Sequence, residues 1–223
     1  MREVQVTIDH ERLLTAILLE LAQRHAVTPA GLRRLTGLGD RADEALAELV
    51  RTGAVVVNGE GAIVAAYPLS AVPTGHVVEL GALAPWANCA IDALAVPMMF
   101  GRGGLIHSTC AHCGLPVIVD IEGSMVRSAQ PTGTVVAYGR LADCGDRPSL
   151  EVSCPFVNFF CGREHAEAWQ RPKRWQGRII PLHEAAALAV HRFQPIIQIY
   201  QRHLPTREGA GTVVPPPDSR LRP

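Results

Sequence analysis

The stretch Trp86–Gly101, WANCAIDALAVPMMFG, lies in an apolar run, Leu80–Phe100, that is long enough to cross a bilayer. How this stretch is interpreted therefore decides whether the chain is predicted to span a membrane or to bury the run in its own core. The run contains two prolines, Asn88 and Asp92, and an uncompensated carboxylate in the middle of a membrane is energetically expensive. We predict a helix near residues 87–100, buried in the core of a protein that is not inserted in a membrane.

The same stretch places a thiol and a carboxylate three residues apart. On a helix, Cys89 and Asp92 share one face, with Cβ atoms roughly 5–6 Å apart. Burial would raise the pKa of Asp92, which suits proton transfer near neutral pH. A second isolated thiol, Cys154, occurs far downstream. Two thiols and a buried carboxylate can bind a soft metal and move a proton. From the residues alone the simpler alternative stays open, in which Cys89 packs as a small apolar group and Asp92 caps a helix or pairs with an arginine.

Four blocks between residues 85 and 185 suggest a known family. They are PWANCAIDALAVPMMFG with Arg102, His107–Ala111 with Gly114 and Pro116-Val117, Cys154 with Phe156–Phe160, and Ala168-Trp169 with Leu182–Ala185. These blocks, in this order over roughly residues 67–190, resemble the organomercurial (alkylmercury) lyases. Two departures concern the third block: Pro155 stands where a family member has a second cysteine, and Asn158 stands where the family has a histidine.

The resemblance implies a catalytic set of Cys89, Asp92 and Cys154, which would also be the metal ligands. The two thiolates would bind mercury, and Asp92 would carry the proton that releases a hydrocarbon from an organomercurial substrate. No cofactor would be required, and Hg(II) would remain bound as the product. Cellular or protein thiols, including those of a mercuric reductase, would accept it. Two alternatives are kept: a thiol-based metal-binding or metal-transfer protein without lyase activity, and a winged-helix regulator that responds to metals.

Composition limits the class of protein. The chain has 223 residues, of which 48% are hydrophobic and 19% charged, and its formal net charge is zero. A real core is therefore expected, and no basic excess suggests nucleic-acid binding. The first residues contain no apolar signal core, so we expect a cytoplasmic protein with mostly reduced cysteines, as a monomer or weak homodimer.

The predicted fold class is α+β, with an N-terminal winged-helix-like module before a mixed, largely antiparallel sheet domain with helices. Residues 1–66 would form the module, residues 67–205 the alkylmercury-lyase-like catalytic domain, and residues 206–223 a mobile tail. In the module, three helices, the third capped by Asp40, precede a hairpin at Asn58-Gly59. Further elements are predicted by the local pattern of apolar residues: strands at 117–121, 134–138 and, more weakly, 150–152, and helices at 164–170 and 181–194.

Winged helices often bind DNA, and Arg33, Arg34 and Arg41 would be the phosphate contacts here. A packing role is favoured instead, because basic residues are few and because the lyases that the chain resembles carry such a module without binding DNA. The role of the aromatic residues Phe156, Phe159 and Phe160 is open between lining the substrate cavity and packing the core.

The remaining cysteines have no assigned role at this stage. Cys110 and Cys113 form a Cys-x-x-Cys pair, which is compatible with a structural role, metal binding or a redox couple. A zinc site needs two more ligands, for which Cys144, His107 and His112 are candidates. The resemblance implies a structural role for Cys110. If residues 156–161 are extended, Cys161 faces away from Cys154, and a Cys161→Ala variant should keep both mercury binding and hydrocarbon release.

Overall fold

A computed structural model describes residues 7–25, 27–142, 145, 147, 149–171 and 175–203. The predicted tail at 206–223 and Cys144 lie outside the described residues. The helices are α1 Ile8–Ala22, α2 Pro29–Thr36, α3 Arg41–Arg51, α4 Ala90–Met99, α5 Ser149–Val152, α6 Arg163–Gln170 and α7 Leu182–His203. The strands are β1 Val55–Val57, β2 Ile63–Ala66, β3 Leu69–Ser70, β4 Val77–Glu79, β5 Trp86–Ala87, β6 Gly104–Thr109, β7 Pro116–Glu122, β8 Met125–Gln130, β9 Val135–Leu141, β10 Asn158–Phe160 and β11 Trp175–Pro181.

Three helices open the described chain, and local signals set where two of them begin. The Thr7 side chain accepts a hydrogen bond from the His10 N–H, and the Thr28 hydroxyl accepts one from the Gly31 N–H, so each caps a free helix N-terminus. The prediction that the Asp40 side chain caps α3 is wrong. Asp40 precedes α3 but its backbone is already helical, with φ −66° and ψ −25°, and its side chain makes no capping hydrogen bond.

Two antiparallel sheets follow, which confirms the predicted α+β class with a largely antiparallel sheet. The larger has eight strands in the order β1-β2-β3-β5-β4-β6-β7-β8, and the smaller has the order β10-β9-β11. Strand β2 pairs with β3 through Ala65↔Ser70 and Ala66↔Leu69, so the larger sheet continues across residue 66. The division of the chain at that residue stays a prediction.

Helix α4 is the centre of the core, and all ten of its residues are buried. Helix α7 packs along it, and the Gln201 side-chain amide donates to the Met98 carbonyl at 3.1 Å. The end of α7 also reaches α1, where Arg202 and His203 both pair with Glu11. Residues 87–99 of the apolar run are thus enclosed by protein. Within the described ranges, no helix is both long and apolar enough to cross a membrane.

Two predicted elements differ from the structure. Residues 149–152 form the short helix α5 instead of a strand, because the Ser149 carbonyl accepts the Ser153 N–H at 2.8 Å and closes a helical turn. Helix α7 continues to His203, beyond the predicted end at residue 194. Pro195 lies inside it, and the apolar contacts of Ile199 and Tyr200, which are both buried, extend the helix despite the lost N–H.

Candidate active site

The two thiols and the carboxylate come from two segments that meet at the start of α4. Cys89 is the residue before α4 and has an extended backbone, while Asp92 lies in the first helical turn. Cys154 opens a single 3₁₀ turn, Cys154–Phe156, that leads into β10. The Ala90 N–H donates to the Val157 carbonyl at 3.0 Å, which fixes the two segments against each other. The extended strand predicted through Pro155 is therefore interrupted by this turn.

The structure brings all three predicted site residues together. The ligand atoms of Cys89, Asp92 and Cys154 lie within 4.8 Å of one another. Their side chains are almost inaccessible, with residue exposures of 4%, 2% and 6% respectively. A metal with metal–thiolate bonds of about 2.3 Å or slightly more can bridge two sulfurs at this separation. The trio can therefore hold a soft metal ion with a carboxylate beside it.

The carboxylate of Asp92 is poised for proton transfer. Burial raises its pKa to about 7, although Arg192, Asn88 and Cys89 act in the opposite direction. Its Oδ2 atom has no hydrogen-bond partner among the described residues. A buried carboxyl group with a pKa near neutrality exists in both protonation states at pH 7, so it can accept a proton and later return it.

The thiol of Cys89 is held in its neutral form. Burial raises the pKa of Cys89 well above its ordinary value, and the neighbouring Cys154 and Asp92 raise it further. The Cys154 Sγ lies 3.8 Å from the Tyr67 Oη. Burial, and then the nearby Cys154, also raise the pKa of Tyr67, so its hydroxyl keeps its proton. That hydroxyl is a hydrogen-bond donor available to a thiolate at Cys154.

A cavity of about 580 Å³ opens onto the three residues. Its wall includes apolar side chains and several cationic or polar ones, namely Ile91, Tyr138, Arg140, Ser149, Ser153, Val157, Gln176, Arg178 and Arg192. The question left open about the aromatic residues is answered. Phe159 and Phe160 are fully buried and pack in the core. Phe156 is half-buried and packs against Trp169, and none of the three rings lines the cavity.

Paired glycines shape one side of the cavity. Gly139 on β9 faces Gly177 on β11, and both line the cavity. A Cβ at Gly177 would collide with the Tyr138 carbonyl oxygen and the Trp175 ring. The Trp175 ring occupies the space next to both Gly139 and Gly177. Only glycine fits at these two positions, because the ring and the neighbouring backbone approach them so closely.

Two residues of the site were missed by the sequence interpretation. Arg192, on α7, lines the cavity and acts electrostatically on Asp92 from 100 positions away. Tyr67 precedes Pro68 at the end of β2, and no motif marks it. The neighbouring Asn88 helps to hold this region, because its amide donates to the carbonyls of Pro68 and Leu69, each at 3.2 Å.

A second group of possible metal ligands lies apart from the first. Cys110, Cys113, Cys161 and His165 place their ligand atoms within 4.8 Å of one another. Of the partners that the sequence suggested for Cys110 and Cys113, His107 instead pairs with Glu79 at 3.0 Å. Burial opposes ionisation of Cys110, but the backbone N–H groups of Cys161, Cys113 and His112 stabilise its thiolate, and its pKa is lowered to about 6.

The arginines considered for phosphate contacts are partly engaged elsewhere. Arg33 pairs with Asp43 at 2.5 Å, and Arg41 pairs with Asp9 at 2.7 Å. A residue already paired with a carboxylate must give up that pair to bind a phosphate, so these contacts do not favour a DNA-binding surface.

Comparison with known proteins points to one family. The family model described as alkylmercury lyase matches residues 69–194. An alkylmercury lyase of Staphylococcus epidermidis is 28% identical over 187 residues, with 82% of each chain covered. One of Bacillus cereus is 27% identical over 179 residues, which cover 79% of this chain and 78% of the relative. A crystal structure of the mercury-bound form of MerB2 superposes with a TM-score of 0.70 at 24% identity, covering 88% of this chain and 93% of that one.

Proposed function

This chain belongs to the alkylmercury lyase family, and we propose that Cys89, Cys154 and Asp92 carry out its reaction, the cleavage of a carbon–mercury bond to give a hydrocarbon and Hg(II). The observation that supports this assignment is the convergence of two thiols and one carboxylate within 4.8 Å in a buried pocket. Thiolates are soft ligands that suit a soft metal ion, and the carboxyl group supplies the acid that protonolysis of carbon needs.

The overall reaction balances with the groups of the site alone. An organomercurial carried by a solution thiol, R–Hg–SR′, meets Cys89 and Cys154, each counted as S–H in the balance. Both sulfurs bind mercury, and the solution thiol leaves as R′SH with one of the two cysteine protons. The other cysteine proton ends on carbon, so R–H departs and Hg(II) stays between the two sulfurs. No electrons are exchanged, and the proposed scheme therefore needs no redox cofactor.

Asp92 is the proposed carrier of the proton that reaches carbon. Its carboxylate form accepts the proton that Cys89 loses when the sulfur binds mercury, because the unpartnered Oδ2 is free to receive it. The second thiolate then increases electron density on the metal, which makes the bound carbon more basic. Asp92, now protonated, donates to that carbon. Arg192 keeps the carboxylate form accessible by opposing the effect of burial on its pKa.

Tyr67 is a proposed positioning residue for Cys154. Its hydroxyl lies 3.8 Å from the sulfur, and it remains protonated because burial raises its pKa. Once Cys154 loses its proton, this hydroxyl can donate to the thiolate and lower the cost of a buried negative charge.

The substrate is an organomercurial, and the cavity of about 580 Å³ is the proposed place for its organic group. After release of the hydrocarbon, Hg(II) is the bound product. Removal of that ion requires competing thiols, so we propose cellular thiols or those of a protein such as a mercuric reductase as acceptors.

Headspace gas chromatography tests the proposal directly. Wild-type protein with excess thiol should release methane from methylmercury and benzene from phenylmercury. An Asp92→Ala variant should still bind mercury but release hydrocarbon about 10²–10⁴-fold more slowly, the usual scale for a positioned acid–base group. A Cys89→Ser or Cys154→Ser variant should lose turnover, because a hydroxyl is a hard and poorly ionised ligand.

The matched control for Asp92 is Asp120→Asn, which removes a carboxylate from β7 outside the cavity. It should release hydrocarbon at the wild-type rate. Unchanged turnover in Asp92→Ala would make that residue structural. Mercury uptake by wild-type protein without any hydrocarbon would instead favour the alternative of a metal-binding or metal-transfer protein.

A further inference from the structure

Three cysteines and one histidine form a compact donor set outside the proposed active site. We propose that Cys110, Cys113, Cys161 and His165 hold one structural Zn(II) ion. All four ligand atoms lie within 4.8 Å of one another, and a Cys₃His set of this kind is a recognised closed coordination sphere for zinc.

Two of the separations between the donor atoms match a tetrahedral ion. Zinc bonds of about 2.3 Å to sulfur and about 2.0 Å to nitrogen place two sulfurs about 3.8 Å apart, and a sulfur and a nitrogen about 3.5 Å apart. The Cys113 and Cys161 sulfurs are 3.8 Å apart. Cys110 Sγ lies 3.7 Å from His165 Nδ1. Cys161 Sγ is closer to that nitrogen, at 2.9 Å, and a small rotation of either side chain about its own bonds restores the tetrahedral separation.

The local backbone is built to present these sulfurs. Cys110 and Cys113 flank the turn between β6 and β7, which is closed by a hydrogen bond from the Gly114 N–H to the Cys110 carbonyl at 2.8 Å. Gly114 has a φ of +74°, a conformation that glycine adopts without strain. Backbone N–H groups of Cys113, Cys161 and His112 are directed at the Cys110 sulfur, where they can stabilise a metal-bound thiolate. The other two ligands lie on either side of the start of α6: Cys161 lies two residues before the helix, and His165 is in its first turn.

Neither a disulfide nor the active-site metal explains this arrangement as well. A disulfide requires sulfurs about 2.05 Å apart, whereas the Cys113 and Cys161 sulfurs are 3.8 Å apart. A bond between them would also not account for the positions of Cys110 and His165 beside them. Cys89 and Cys154 belong to the other group. Four protein donors leave no open coordination position, which is the mark of a structural rather than a catalytic zinc.

The zinc site would join the two sheets close to the segment that carries Cys154. The turn from Cys110 to Cys113 belongs to the eight-stranded sheet, while Cys161 directly follows β10 of the three-stranded sheet. One backbone hydrogen bond, from the Ala111 N–H to the Phe159 carbonyl at 3.1 Å, already links them. The 3₁₀ turn that carries Cys154 leads straight into β10. A zinc ion here would therefore fix the segment that delivers the second active-site thiol.

Metal analysis of the purified full chain tests the proposal. Protein produced in medium that contains zinc but no mercury should carry one zinc per chain by inductively coupled plasma mass spectrometry. Cys113→Ser and His165→Ala should lose it. His165→Cys should retain it, because four thiolates also hold zinc. Cys89→Ser is the matched control, since it removes a thiol outside the cluster and should keep the full zinc content.

The wild-type protein provides a second readout that does not depend on how well any variant folds. Zinc K-edge absorption should give three sulfur neighbours and one nitrogen neighbour. Protein without zinc, a different first coordination shell, or zinc that is lost in Cys89→Ser but retained in Cys113→Ser would each overturn the proposal.

Discussion

Replacement of Asp92 by asparagine should change how the stability of the protein depends on pH. The substitution keeps the size of the side chain and removes its ionisation. In the folded protein burial raises the pKa of Asp92 to about 7, while an unfolded chain has an ordinary aspartate pKa of about 4. The folded state therefore binds this proton more tightly than the unfolded state. The stabilisation is fully present below pH 4 and is lost as the pH rises through about 7.

The size of the effect follows from these two pKa values. For a single group with them, the contribution to the free energy of unfolding falls by about 2.5 kcal/mol between pH 5 and pH 8. His76 acts in the opposite sense. Burial lowers its pKa to about 4, so its contribution to stability rises with pH until about 6.5. The two effects partly cancel in the wild-type protein, and only a difference between proteins isolates Asp92.

The assay is urea unfolding followed by tryptophan fluorescence, for wild type and Asp92→Asn, at intervals from pH 5 to pH 8. Relative to the variant, the wild type should lose about 2.5 kcal/mol across that range, with the steepest loss between about pH 5 and about pH 6 and a levelling above about pH 7. Asp120→Asn controls for the loss of one negative charge. A difference between wild type and Asp92→Asn that stays constant with pH would refute the assignment of a raised pKa to Asp92, and with it the proposed role as proton carrier.

Three further predictions concern the surroundings of the site. Arg192→Gln removes the charge that opposes the effect of burial, so the pKa of Asp92 should rise further. In the same urea titrations, the pH above which the free energy of unfolding stops falling should therefore move to a higher value. Tyr67→Phe removes the hydrogen-bond donor to a Cys154 thiolate, and hydrocarbon release in the headspace assay should fall about 10–100-fold, the equivalent of a hydrogen bond to a charged group; wild-type turnover would exclude that role. Cys161→Ala should still release hydrocarbon at temperatures where it is folded, because its sulfur belongs to the other thiol cluster; loss of turnover in folded protein would contradict this.

The parts of the site that the sequence predicted are the ones encoded locally. Cys89 and Asp92 were predicted to share one face of a helix, but Cys89 is extended and precedes α4. The two residues still meet because Cys89 adjoins the first helical turn, which carries Asp92. The pairing of Cys89 with Cys154 needed more, because nothing in spacing joins positions 65 residues apart. That pairing came from the resemblance of ordered blocks to a family.

The remaining site residues depend on tertiary packing that carries no local signal. Arg192 resembles any other arginine on an amphipathic helix until α7 packs along α4. His165 is far along the chain from the Cys-x-x-Cys pair of Cys110 and Cys113. It reaches that pair only because α6 starts beside the β6–β7 turn. Residues 150–152 were misassigned as a strand because so short a segment is not enough for helical and strand periodicity to differ.

Cys110 and Cys89 are both buried, and the backbone N–H groups around Cys110 are what separates the chemistry of these two thiols. Metal binding requires thiols to release their protons. At Cys110, backbone N–H groups outweigh burial and lower the pKa to about 6, so that sulfur is ready for a metal at neutral pH. At Cys89, burial raises the pKa, so the thiol keeps its proton until a strongly thiophilic metal arrives. Retention of that proton is useful to a lyase, because the proton displaced by mercury is the one that Asp92 can pass to carbon. A thiol that had already ionised would bind the metal equally well but would bring no proton for the hydrocarbon.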